Sequence, residues 1–108
     1  MEKASIEVVN NLQEQRWEAS EGGELLGFSA YREQPGQVTF THTEVNPALS
    51  GRGIGSRLAE AAVEDAVERG LRIVPRCPFI RAYLERHPEF AALVDLPADT
   101  RQQAKPSD

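Results

Sequence analysis

The segment from Val38 to Val74 constrains this chain more than any other, because its apolar pattern changes period twice. Val38-Thr39-Phe40-Thr41-His42-Thr43-Glu44-Val45 is β-branched and aromatic with neither Gly nor Pro, which predicts a strand. Ile54, Leu58, Ala61, Ala62, Ala66 and Val67 then recur at helical spacing, and Gly70 after Arg69 gives a helix stop. Leu71-Arg72-Ile73-Val74 is a short apolar run that fits a second strand. Strand, turn, helix and strand make a right-handed βαβ crossover, with the turn at its switch point.

That turn is Ser50-Gly51-Arg52-Gly53-Ile54-Gly55-Ser56-Arg57-Leu58. The first N–H groups of a helix have no intrahelical partner, and the helix dipole adds partial positive charge there, so the backbone alone can hold a diphosphate. Glycines at 51, 53 and 55 remove the side chains that would keep a ligand away, and Arg52 and Arg57 can add charge-assisted bonds. The bland alternative is a tight strand-to-helix connection with no ligand. No Gly-Lys-Ser/Thr follows, which argues against a P-loop, and Ser56 stands where a dinucleotide fingerprint needs its third glycine.

The first half of the chain reads as antiparallel sheet. Ile6-Glu7-Val8-Val9 predicts a strand, Asn10-Asn11 a turn, and Glu14 to Ala19 a second strand. Glu21-Gly22-Gly23 turns into a third strand from Glu24 to Tyr31, and Gln34-Pro35-Gly36 closes a hairpin onto the fourth. After the fifth strand, Pro78 suits a first helical turn, so a short second helix is expected from Phe79 to Arg86, ended by His87-Pro88. The expected fold class is α+β, an antiparallel meander of about four strands followed by a βαβ unit and a short second helix. Residues 1–96 read as one domain, and the polar run from Pro97 to Asp108 as a disordered tail.

The run from His42 to Phe90 resembles the small single-domain members of the GCN5-related N-acetyltransferase superfamily. Those proteins carry Gly-Arg-Gly-Ile-Gly, then a helix and a short strand, then Cys-Pro-Phe-x-x-x-Tyr-Leu-x-x-His-Pro-Glu, matched here by Gly51 to Gly55 and by Cys77 to Glu89. The resemblance implies a minimal acyl-CoA N-acyltransferase fold in which the glycine turn, from Ser50 through Gly51, Arg52, Gly53, Ile54, Gly55 and Ser56 to Arg57, binds the pyrophosphate of acetyl-CoA. Ser50 departs from the Arg or Gln usual at the first position, which removes one anchoring side chain and leaves the backbone donors intact. Full-sized members are longer, so the resemblance also implies an acceptor site that is open or completed by a partner.

In that superfamily the fourth and fifth strands splay apart and the pantetheine arm fills the gap, which implies that the backbone N–H at or near Val45 polarises the thioester carbonyl. Acetyl transfer to an amine also needs a base and a proton donor for the departing thiolate. Strand periodicity puts His42 and Glu44 on one face with Phe40, where either can take a proton; the bland reading is a solvated pair. Cys77 precedes a helix N-terminus beside Arg76, a setting that can activate a thiol, or it is a small packing residue beneath the acetyl group. Tyr83 is the candidate acid by resemblance, and a core aromatic otherwise.

A net charge of −5 argues against nonspecific nucleic-acid binding and is compatible with cationic amine acceptors. One cysteine and two histidines exclude an intramolecular disulfide and argue against a metal site. With no long apolar run and no signal-peptide core at the N-terminus, a cytoplasmic protein without membrane partners is expected, monomeric or weakly dimeric. Two functions fit the cradle: an acetyl-CoA-dependent N-acetyltransferase acting on a small-molecule or protein amine, and a coenzyme A binding module without turnover.

Overall fold

The computed structural model describes residues 6–49 and 51–96. Strands β1 (Ile6–Asn11), β2 (Arg16–Glu21), β3 (Glu24–Gln34) and β4 (Gln37–Val45) are followed by helix α1 (Ile54–Glu68), strand β5 (Arg72–Pro75) and helix α2 (Pro78–Glu85). Short 3-10 turns occupy Pro47–Leu49 and Pro88–Leu93. The strands form one sheet in the order β1-β2-β3-β4-β5, antiparallel as far as β4, with β5 parallel to β4. The α+β class expected from the sequence is the architecture observed.

Asn10 and Asn11, expected as a turn, belong to β1 and pair with Trp17 and Arg16. Side-chain bonds hold them there: Tyr31 Oη donates to Asn10 Oδ1 at 2.6 Å and Asn11 Nδ2 donates to Glu18 Oε2 at 3.1 Å. The reversal falls after them and passes through Gln15, at φ 54. The helix expected over Phe79–Arg86 begins one residue earlier, at Pro78, whose missing N–H costs nothing in a first turn.

One face of α1 carries Ile54, Leu58, Ala59, Ala62, Val63 and Ala66, all buried, and the alanines let the helix lie close to the sheet. Tyr31, Val38, Phe40 and Ile73 of the sheet meet the middle of α1 together with Ile80, Tyr83 and Leu84 of α2. Ala19 and Leu26 meet its first turns at Ile54 and Leu58. Each large side chain buried in this way contributes about 1.5–3 kcal/mol. Both helices pack against the same face of the sheet.

The pairing of β3 with β4 is irregular at one point. Ala30 pairs with His42 but Tyr31 pairs with Phe40, so Thr41 is an extra residue in β4, a β-bulge. Side chains N-terminal to the bulge alternate in one phase and those beyond it in the other. Val38 and Phe40 face the helices; beyond the bulge it is Thr43 and Val45 that do.

Candidate active site

β5 pairs with β4 only from Gln37 to Phe40, and the chain then leaves the sheet for α2. The last link is Cys77 N–H to the Phe40 carbonyl at 2.9 Å. From Thr41 to Val45, β4 therefore has β3 on one side and no strand on the other. Asn46 N–H bonds to the Leu26 carbonyl of β3 at 3.0 Å, so strand alternation turns the N–H and C=O of Val45 toward the side that β5 has vacated.

The glycine turn lies beside this gap. Gly51 and Gly53 have φ of 92° and 75°, left-handed values that an L side chain adopts only under strain, and nothing lies within 4 Å of a β-carbon built on either. Gly53 is the N-cap of α1, and the first helical bond of the turn, Arg57 N–H to Gly53 C=O, is 3.1 Å. The N–H groups of Ile54, Gly55 and Ser56 precede that bond and have no helical acceptor. The first turn of α1 contains no acidic residue to oppose an anion.

Val45, Leu49, Gly53, Ile54, Ser56 and Phe79 are among the residues lining a cleft of about 410 Å³ at this place, with Gly51 and Gly55 completing the wall. One end presents backbone N–H groups and the other is apolar, which suits a ligand that combines a phosphorylated group with an uncharged arm. Gly55 has a different reason to be glycine from its two neighbours: the ring of Phe79 fills the space a β-carbon would need. Phe79 was absent from the residues expected at the site. Its signal lay in the Cys-Pro-Phe sequence, which places an aromatic in the first turn of α2.

The two arginines read as phosphate ligands are otherwise engaged. Arg52 Nη2 bonds to Glu21 Oε2 at 3.1 Å, and Arg57 Nη2 bonds to the Ile6 carbonyl at 3.1 Å, drawing that side chain toward β1. Ser50 lies outside the described residues.

The expectation that His42 and Glu44 share a face with Phe40 is corrected by the bulge at Thr41. Phe40 is buried under the helices, whereas His42 and Glu44 stand exposed on the opposite, helix-free face. They bond to each other, His42 Nε2 to Glu44 Oε2, at 2.8 Å, and the His42 ring meets Phe28 edge-on at 6.2 Å.

Cys77 is 1% exposed and serves as the N-cap residue of α2. Its Sγ lies 3.1 Å from Thr43 Oγ1, which lies 3.0 Å from the Oγ of fully buried Ser29. A run of three polar atoms thus crosses the core from β3 through β4 to α2. Tyr83 is not brought to the cleft; it packs in the core, stacked on His87 with 4.1 Å between ring centroids. Burial raises its hydroxyl above the ordinary phenol range, and the carboxylates of Glu60 and Glu64 push the same way.

Comparison with known proteins adds to this geometry. The family model for GCN5-related N-acetyl-transferase matches residues 16–93, from β2 to the end of the last 3-10 turn. The chain belongs to that family. The Protein NATD1 sequences of Xenopus tropicalis and Gallus gallus are each 41% identical to this chain over 51 residues, which cover 47% of this chain and 47% and 46% of theirs. The chain thus spans about half the length of the curated relatives it matches. A solution NMR structure of a GCN5-like protein from Staphylococcus aureus superposes with a TM-score of 0.63 at 25% identity, covering 90% of this chain and 93% of that one. The GCN5-related fold thus extends over nearly the whole chain.

Among the described residues, no group of three or more His, Cys, Asp and Glu side chains is arranged to hold a metal, and no helix is long and apolar enough to cross a membrane.

Proposed function

We propose that this member of the GCN5-related family is an acetyl-CoA-dependent N-acetyltransferase acting on an amine. The observation that carries the reading is the join between the cleft and the unpaired end of β4: phosphate-seeking N–H groups at α1 and a free strand edge at Val45 border the same space. Acetyl-CoA suits both, being a pyrophosphate joined to an extended amide-bearing arm. The backbone of Gly51 to Ser56 would hold the pyrophosphate, and the strand edge from Thr43 to Val45 would bond the arm as a further strand would.

When bound, the thioester supplies an activated acetyl group; the protein's part is to orient it and manage protons. The N–H of Val45 would stabilise negative charge developing on the carbonyl oxygen. His42 and Glu44 would accept the proton of an amine that approaches from the helix-free face, directly or through water. Cys77, 1% exposed and tied to Thr43, fits a packing role at the end of the arm better than that of a nucleophile.

Calorimetric titration with acetyl-CoA tests the reading, repeated with Gly53→Val. Saturable binding that the variant loses, followed by release of free coenzyme A thiol on adding amines, is the expected result. Binding without thiol release from any amine would make the protein a coenzyme A binding module, and absence of binding would remove acetyl-CoA altogether.

A further inference from the structure

The cleft at the glycine turn is not the only one to reach Val45. A smaller cleft of about 190 Å³ reaches the same residue and is lined by Leu25, Gly27, Phe28, Glu44 and Pro47 among others. Both clefts end on Val45, the larger reaching it from the α1 N-terminus, the smaller including the outward-facing Phe28 and Glu44. We infer that the smaller cleft is the acceptor subsite and that it takes a primary alkylammonium, an uncharged carbon stem ending in a cationic amine.

The charge of the wall favours this class. Glu44 is the charged residue of the cleft lining, its side chain 63% exposed, and it shares one oxygen with His42. The nearby cation, Arg16, sits 4.5 Å over the Phe28 ring but is held by Glu18 Oε2 at 2.7 Å, so it leaves the Glu44 carboxylate to another partner. Of the rest of the lining, Leu25, Leu26, Phe28, Val45 and Pro47 are apolar and match a hydrocarbon stem, while Asn46 is polar and accepts a hydrogen bond from the Ala48 N–H through its Oδ1. At about 30 Å³ per water the space holds roughly six waters, enough for a short linear amine. An α-amino acid would bring its own carboxylate toward Glu44 and is disfavoured.

Gly27 gives the cleft its floor. A β-carbon there would come within 2.7 Å of the Glu44 carbonyl oxygen and 3.1 Å of Val45 Cα, so only glycine lets β3 lie this close to the end of β4. The close approach packs β3 onto the backbone of Glu44 and Val45, beside the edge that the proposed acyl-CoA reading uses. The acceptor assignment rests on that reading, but amine binding can be measured without it.

The test is titration of the ¹⁵N-labelled protein, without acetyl-CoA, with n-butylammonium chloride, n-butanol and norvaline, following backbone amides by NMR. Saturable shifts confined to residues 25–28 and 44–46 with butylammonium, absent with the alcohol and the amino acid, and weakened at least tenfold in Glu44→Gln, are the expected result. Equal responses to amine and alcohol, shifts centred elsewhere, or an unchanged affinity in Glu44→Gln would overturn the assignment. A separate titration with acetyl-CoA reads residues 51–56; its failure would count against the proposed activity and is scored independently of the amine result.

Discussion

The ring of Phe79 occupies the place of the side chain that Gly55 does not have. A β-carbon on Gly55 would lie 2.6 Å from Phe79 Cε1 and 2.7 Å from Cε2, distances that real β-carbons essentially never show. The first turns of α1 and α2 are therefore fitted to each other at the cleft that both line. Because Phe79 remains 41% exposed, its ring has room to swing outward if pushed.

Gly55→Ala should therefore lower the melting temperature, by an amount corresponding to about 1 kcal/mol, despite alanine's better helix propensity. In a Phe79→Ala background the same change should be neutral or stabilising. A double-mutant cycle by thermal denaturation checks this, with a coupling in the range of roughly 0.5–3 kcal/mol expected. Additive effects would mean that the two residues do not meet.

Gly53 behaves differently, since its constraint lies in the backbone. Gly53→Ala should cost about 1–2 kcal/mol through the left-handed φ alone, and Gly53→Asn, which tolerates that conformation, should recover most of the loss. Both add a side chain where the cleft is open, so both should weaken acetyl-CoA binding. Urea denaturation and calorimetry on the pair separate the strain from the blockage.

The sheet order and the turn-helix unit were legible because β-branched runs, Pro-Gly and Gly-Gly turns and the Ile54-to-Val67 spacing are local signals. The orientation of His42 and Glu44 was not. No Gly or Pro marks Thr41 as the site of a bulge, so counting by twos from Phe40 carries both residues to the wrong face. The roles of Phe79 and Gly55 were hidden for another reason: they meet only because two helices dock, and neither residue signals the other along the chain. The bond from Arg57 to the Ile6 carbonyl was not legible either, because it joins α1 to a strand far away along the chain.

Thr43 holds the middle of the buried polar run. Thr43→Val keeps the shape but leaves the Ser29 hydroxyl, 0% exposed, without its partner, and should cost about 1–3 kcal/mol by urea denaturation. Adding Ser29→Ala should cost little more, and can restore part of the loss. The Cys77 thiol should react with a disulfide reagent slowly in the native protein and rapidly in denaturant; immediate reaction in native buffer would put it in the cleft and not behind it.

At the far end of α1, Arg69 gives Glu33 two hydrogen bonds, of 2.9 and 2.8 Å, which hold the Glu33 carboxyl below the ordinary 4.5. A carboxyl depressed by folding stabilises the protein above its unfolded pKa, and that contribution is lost as the pH falls through the folded one. Arg69→Leu should therefore destabilise at neutral pH, by about 1 kcal/mol or less for so exposed a pair, and the gap to the native chain should close on acidification below 4.5. Melting curves across that range check the sign.

The bulge at Thr41 means that β4 keeps its division of labour in a count of residues, not in their chemistry. Up to Phe40 the even positions belong to the interior; past Thr41 the odd ones do. Flattening the bulge with Thr41 kept in the ladder would send His42 and Glu44 inward and turn Thr43 and Val45 out, whereas deleting Thr41 would leave all four facing as they do. One residue left out of the ladder decides which side chains of β4 meet solvent and which meet the core.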